Sequence, residues 1–271
     1  MRFLVAIPTP FDPRGEVDHA RLAAHVGALA AAGVDGFVPT GTTGEYPYLS
    51  ADEKLAVYAT TLEAAAGMPV IVCPWDPSPA VSARLARAAL RFGAAGVMLP
   101  PPVLYDLPQR TIVAWYERMS SEIGSPILGY HNPGSFPAKL AEDTVVGLVA
   151  DGVLSGVKDS SGDAARVARL VARCPDAVFP GGDRILHQVR GLPGLGGFVS
   201  GAANLWPRLA VRIFHGGEVA LGPELVARAD ALKAAGGLAA MKMALGMGNR
   251  SPIVDVEAAA AGALPPDLSA S

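Results

Sequence analysis

Eight short apolar stretches, each running into a polar or glycine-bearing turn, constrain this chain more than anything else in it. They fall at residues 3–7, 36–40, 69–73, 96–99, 126–130, 154–158, 177–180 and 196–200. Helical runs are predicted between them over about 18–32, 50–66, 80–92, 109–121, 138–149 and 163–173, with a short, weak seventh at 187–190. Asp18, Ser50 with Glu53, and Asp163 stand at the starts of three runs, where a side-chain oxygen can satisfy the free N–H groups of a first helical turn. Parallel strands need a long crossover, usually a helix, so the alternation predicts parallel pairing. Eight such units in 271 residues predict an α/β fold, a (β/α)8 TIM barrel. Three more runs, about 207–215, 223–235 and 238–247, predict additional C-terminal helices. The chain then divides into a barrel domain, residues 1–218, and a C-terminal helical extension, residues 219–271. The Ala- and Pro-rich tail after Arg250 is expected to dock loosely.

Composition narrows the class. A hydrophobic fraction of 51% with only 17% charged residues suits a large packed core and argues against disorder. A net charge of −3 provides no basic footprint, so no nucleic-acid partner is expected. Cys73 and Cys174 lie far apart and form no CxxC pair, which predicts reduced, buried thiols without a disulfide or a metal site. No apolar run approaches the ~20 residues of a membrane span, and the N-terminal run is too short for a signal peptide. A cytoplasmic protein with no membrane partner is expected.

In such a barrel the βα loops share the C-terminal rim, where barrel enzymes place their chemistry. Four polar signals fall there: Gly41-Thr42-Thr43-Gly44-Glu45, Tyr130, Lys158 and Ser200-Gly201. The chain has five lysines. Lys54, Lys233 and Lys242 lie in helix-like runs and Lys139 follows a proline turn, so Lys158 alone ends an apolar strand. Partial desolvation there favours the free amine, as a Schiff-base nucleophile requires. The alternative is a lysine that snorkels out of the strand end or pairs with Asp159 or Asp163. The glycine turn offers N–H groups and two hydroxyls suited to a carboxylate, or is an ordinary polar turn. Tyr130 is either a core residue with a satisfied hydroxyl or a proton shuttle one strand from the lysine. His131 should point to the opposite face. Asp159 and Asp163 read as turn and cap carboxylates, and Cys73 as core.

Taken together, Gly41-Thr42-Thr43-Gly44-Glu45 after the second strand, Tyr130-His131-Asn132-Pro133-Gly134 at the fifth and Gly156-Val157-Lys158-Asp159 at the sixth carry a resemblance. They resemble the dihydrodipicolinate synthase / N-acetylneuraminate lyase family of class I (Schiff-base) aldolases, in order, over about residues 3–207. The resemblance implies that Lys158 forms an imine with pyruvate or a related 2-oxo acid, which is then joined to or released from an aldehyde. It implies Tyr130 as proton donor and acceptor, Thr42 as relay, and Gly41, Thr42 and Thr43 as the carboxylate turn. Ser200 and Gly201 are added as substrate-binding residues from their place on the rim. Tyr105, in Pro102-Val103-Leu104-Tyr105-Asp106, falls near the family tyrosine that reaches a neighbouring subunit's site. A homo-oligomer, dimer or tetramer, is implied, and neither a metal nor an organic cofactor.

Two features depart from the synthase branch. Where that branch carries an arginine after Pro-Gly, this chain has Ser135, followed by Phe136, which is expected to add apolar surface; the C-terminal tail is also atypical. A serine lacks the bidentate contact that an arginine makes with a carboxylate. The readings left open are a dihydrodipicolinate synthase proper, a 2-oxo-3-deoxy sugar acid aldolase or dehydratase, and a non-catalytic 2-oxo-acid-binding barrel. Retention of the lysine, the tyrosine and both threonines argues against the last.

Overall fold

Strand β1 (Arg2–Ala6) shows the period-two logic on which the barrel rests, in a computed structural model that describes residues 1–250 and 264–268. Phe3 and Val5, continued by Ile7, turn toward a layer shared with the helices, while Leu4 and Ala6 turn toward a second apolar cluster. The second cluster is the lumen. It holds Leu4, Ala6, Val38, Cys73, Met98, Leu128, Tyr130 and Val199, drawn from successive strands.

The remaining strands are β2 (Gly36–Val38), β3 (Ile71–Val72), β4 (Gly96–Leu99), β5 (Ile127–His131), β6 (Leu154–Asp159), β7 (Val178–Pro180) and β8 (Gly197–Ser200). All strand pairs are parallel, in the orders β2-β1-β8 and β3-β4-β5-β6-β7. Parallel bridges between Phe37 and Val70, and between Gly181 and Val199, join the two arcs into a closed ring. The chain is a (β/α)8 barrel.

The crossovers are α1 (His19–Ala31), α2 (Ala51–Ala64), α3 (Pro79–Arg91), α4 (Gln109–Ile123), α5 (Glu142–Ala150), α6 (Ala164–Arg173), a four-residue α7 (Leu186–Val189) and α8 (Pro207–Phe214). All three anticipated caps form: Asp18 accepts from the N–H of Arg21, Asp163 from that of Arg166, and Ser50 with Glu53 makes a reciprocal capping box. Helix α5 starts four residues later than the sequence suggested. The N–H of Leu140 goes to His131, its carbonyl accepts from Arg166, and the N–H of Ala141 goes to Gln109, so side chains hold this stretch extended.

Helices α9 (Gly222–Ala234) and α10 (Leu238–Ala244) follow the barrel. Of the tail expected to dock loosely, residues 251–263 and 269–271 lie outside the described residues. Residues 264–268 are firmly seated: Leu264 is buried, Trp206 donates to the carbonyl of Pro265 at 2.9 Å, and Asp267 accepts from the first N–H groups of α8. Among the described residues no helix is long and apolar enough to cross a membrane.

Candidate active site

Lys158 is the last lumen-facing residue of β6. Its Cα is in register with Tyr130 on one side and Phe179 on the other, and residues in register share a face. Val157 goes to the helix layer, while Lys158 is buried in the barrel mouth with 6% of its surface exposed. Its Nζ stands 4.3 Å from the centroid of the Tyr130 ring, within the range of a cation–π contact. Neither nearby aspartate is available to it. Asp159, read from sequence as a turn carboxylate, is a fully buried partner of Arg166, at 2.7 Å, and also accepts from Ser161; Asp163 caps α6. Gly181 borders the lysine from β7. A Cβ there would lie 3.3 Å from Cε of Lys158 and 2.6 Å from Oγ of Ser160, so glycine keeps this flank of the amine open.

Tyr130 is held on three sides. Phe136 packs edge-on against its ring, with centroids 5.4 Å apart. The side-chain amide of Asn132 donates to the phenol oxygen at 2.9 Å, and Oγ1 of Thr42 lies 3.3 Å from the same oxygen. Tyr130 thus accepts from Asn132, and its contact with Thr42 can run in either direction, since each hydroxyl can donate or accept. Phe136 therefore spends its apolar surface on Tyr130 instead of exposing it. Its neighbour Ser135 is exposed and lines a shallow cleft with Asp106 and Lys139.

The glycine turn is built under strain. Thr40 and Glu45, which bracket it, both take left-handed backbone conformations, with φ of 52° and 60°. Such conformations cost on the order of 1–3 kcal/mol each and persist only where surroundings enforce them. The Thr40 hydroxyl lies 2.8 Å from the carbonyl of Pro39 and 2.9 Å from that of Cys73, while Glu45 is paired with the buried Lys242. Gly44 is required by contact: a Cβ would lie 2.5 Å from the Thr40 nitrogen. Thr9 fixes the Gly44 carbonyl at 2.7 Å. Gly41 is buried, Thr42 is exposed and Thr43 is half-buried.

Ser200 and Gly201 reach the rim, but their polar groups go to a carboxylate of the chain itself. The Ser200 hydroxyl donates to Asp183, which also accepts from the N–H groups of Gly201 at 3.1 Å and Ala202 at 2.9 Å. Beside them a cleft of about 240 Å3 is bounded by Thr43, Asp183, Lys233, Leu238 and Met241. A larger cleft, about 600 Å3, lies by Arg14 and Arg21 and is lined by none of the residues read as catalytic. Tyr105 is not brought into the cluster. It sits on the β4–α4 loop, 68% exposed, beside Leu104 at 73%.

His131 faces the helix layer, as alternation requires. Its Nδ1 accepts from the N–H of Leu140 at 3.2 Å, and burial lowers the imidazole below its ordinary value, which keeps it neutral. Cys73 is core: burial pushes its thiol up to about 11, so it stays protonated. Among the described residues no cluster of three or more His, Cys, Asp or Glu side chains could hold a metal ion. Sequence reasoning missed Asn132, Asp183 and Gly181. Asn132 stood inside the tyrosine motif, two residues from Tyr130 and on its face. Asp183 closed the Gly181-Gly182-Asp183 turn after β7.

A family-wide profile described as the dihydrodipicolinate synthetase family matches residues 1–229. The chain belongs to that family. The 4-hydroxy-tetrahydrodipicolinate synthase of Natronomonas pharaonis is 33% identical over 211 residues, covering 77% of this chain and 71% of that protein. A crystal structure of dihydrodipicolinate synthase from Bacillus anthracis superposes with a TM-score of 0.89 at 26% identity, covering 97% and 95% of the two chains. A sialic acid aldolase catalytic lysine mutant from Ruminococcus gnavus, 19% identical with a TM-score of 0.87 and coverage of 97% and 95%, shares the fold. Family membership makes this chain a Schiff-base enzyme of the class I aldolase type.

Proposed function

We propose that Lys158 forms the imine with pyruvate or a related 2-oxo acid, and that Tyr130 and Thr42 carry its protons. The amine of Lys158 would add to the 2-oxo carbon; loss of water from the carbinolamine gives the imine, an electron sink. A proton leaving the adjacent carbon converts it to an enamine, which attacks an aldehyde, and the reverse sequence releases one. The phenol of Tyr130 is suited to both transfers because its oxygen contacts Thr42 and its ring lies beside the Lys158 amine. The Gly41-Thr42-Thr43 turn is read as the carboxylate site. The observation that carries this reading is the placement of the Lys158 amine 4.3 Å from the Tyr130 ring, with the Tyr130 oxygen 3.3 Å from Thr42. Ser200 and Gly201, occupied by Asp183, are read as shaping the rim and not as primary ligands of the acid.

The second substrate is read as less anionic than aspartate semialdehyde, because Ser135 supplies no guanidinium and Arg166 is committed to Asp159. A synthase proper is the second reading, favoured by relatives of that name at 33% and 36% identity. We place the chain in the cytoplasm as a homo-oligomer, a dimer or tetramer, with a division near residue 218 between barrel and helical extension. Two buried free thiols and the exposed Leu104–Tyr105 pair support the first two of these.

The test is borohydride reduction in the presence of pyruvate, followed by intact mass and peptide mapping. Wild type should gain one reduced pyruvate adduct on Lys158, and Lys158→Ala should gain none while remaining folded. A wild type that takes up no mass, or an adduct on another lysine, rejects the assignment.

A further inference from the structure

The sequence places Lys242 in an ordinary helical run, yet in the fold it is one of the most deeply buried groups of the molecule. Its side chain and that of Glu45 are both 0% exposed, and they form an ion pair across 197 positions of sequence. Burial pushes the Glu45 carboxyl up and the Lys242 ammonium down, and their mutual contact opposes both. A buried pair of this kind is weak evidence for stability, since apolar side chains of equal volume often serve a core as well or better. Its informative property is where it acts.

Glu45 closes the glycine turn. Its N–H is bonded to the carbonyl of Thr42 at 3.2 Å, its own backbone is left-handed, and Thr42 lies against the Tyr130 oxygen. Lys242 is held from the other side. Its ammonium stands 4.3 Å from the Phe11 ring centroid, and the chain just beyond it bridges back to Phe11 through Gly248 at 3.1 Å. The C-terminal helices thus end in a charged peg that fixes the strained end of the turn.

We propose that Lys242 is a positioning residue for the reaction: through Glu45 it holds Thr42 and Thr43 in the geometry that receives the 2-oxo acid, and so makes the C-terminal extension part of the active site. This rests on the reading of Lys158 as the imine-forming residue. A residue that acts this way changes how readily the acid is captured, whereas a purely structural pair changes only the resistance to unfolding.

The double variant Glu45→Gln/Lys242→Met removes both charges with side chains of similar size and avoids stranding one of them. Borohydride trapping is measured against pyruvate concentration, alongside thermal unfolding. The pyruvate concentration for half-maximal trapping should rise ten-fold or more at a temperature where the variant is folded. Trapping within two-fold of wild type overturns the inference and leaves the pair a structural staple. If the double variant does not fold, Glu45→Asp keeps both charges but reaches the ammonium only by moving the turn. It should raise the same half-saturation, and an unchanged value there also overturns the inference. Failure of the wild type to trap pyruvate rejects the imine reading itself, and is seen before any variant is compared.

Discussion

In the proposed mechanism Tyr130 acts through one oxygen, and the roles assigned to its neighbours follow from that. Asn132 fills one acceptor site, Thr42 stands opposite, and Phe136 fixes the ring, so the hydroxyl can be removed without disturbing the packing. Tyr130→Phe should still form the trapped imine with pyruvate but turn over about 10²–10⁴-fold more slowly, the range for a lost general acid–base. Turnover within a few-fold of wild type would take Tyr130 out of the mechanism. A second expectation concerns Ser135. A charge-assisted contact to a carboxylate is worth roughly 1.5–3 kcal/mol, and a serine on an exposed loop does not replace it. Condensation of pyruvate with neutral aldehydes, or cleavage of 2-oxo-3-deoxy sugar acids, should therefore outpace reaction with aspartate semialdehyde in a coupled assay. Efficient use of aspartate semialdehyde, at kcat/KM of ~10⁴ M⁻¹s⁻¹ or more, would mean that another cation serves the site and that the synthase reading is correct.

At the level of elements, α1 is tied to the turn after β8 by a buried hydrogen bond. The amide of Asn204 donates to the carbonyls of Ala6 and Gly201, so its oxygen faces Nε2 of His25, 2.9 Å away, and that nitrogen must carry the hydrogen. Burial lowers the His25 imidazole below its ordinary value of 6.5. Below about pH 6.5 the unfolded chain takes up a proton that the folded one resists, so stability is full above that pH and falls as acid is added. His131, lowered for the same reason, adds to the loss. His25→Gln keeps a donor without the titration and should lose less between pH 7.5 and 5.5, measured as the shift in urea midpoint. An equal loss in both proteins assigns the effect elsewhere. Elements such as these were legible to different depths. The strands and the caps at Asp18, Ser50 and Asp163 could be read because strand alternation and helix capping are local. The start of α5 could not be, because it is set by His131, Arg166 and Gln109 reaching from other elements. Likewise Lys158, Tyr130 and Thr42 announced themselves as polar residues on strand ends and turns. Asp183 and Lys242 did not, since a carboxylate after a glycine pair and a lysine in a helix look like surface chemistry until the fold buries or bonds them.

Across the whole molecule, the residue that remains apart is Tyr105. The Pro100-Pro101-Pro102 run carries the β4–α4 loop outward without regular structure, leaving Leu104 73% and Tyr105 68% exposed. These two adjacent side chains are among the most exposed large hydrophobic residues described in the chain. If Tyr105 serves a neighbouring copy's site, a copy with an intact Lys158 needs its tyrosine from the other copy. Two damaged chains can then repair each other. Lys158→Ala offers a sound Tyr105 but no amine, whereas Tyr105→Phe offers the amine but no donated hydroxyl. Co-expressed and purified as mixed oligomers by two different tags, they should show more activity than the sum expected from each variant alone, since one site per mixed pair is complete. If Tyr105 worked in its own chain, mixing would restore nothing. Activity equal to the weighted sum, or a wild type that is monomeric by light scattering while fully active, would reject the donation of Tyr105 to a neighbouring copy's site.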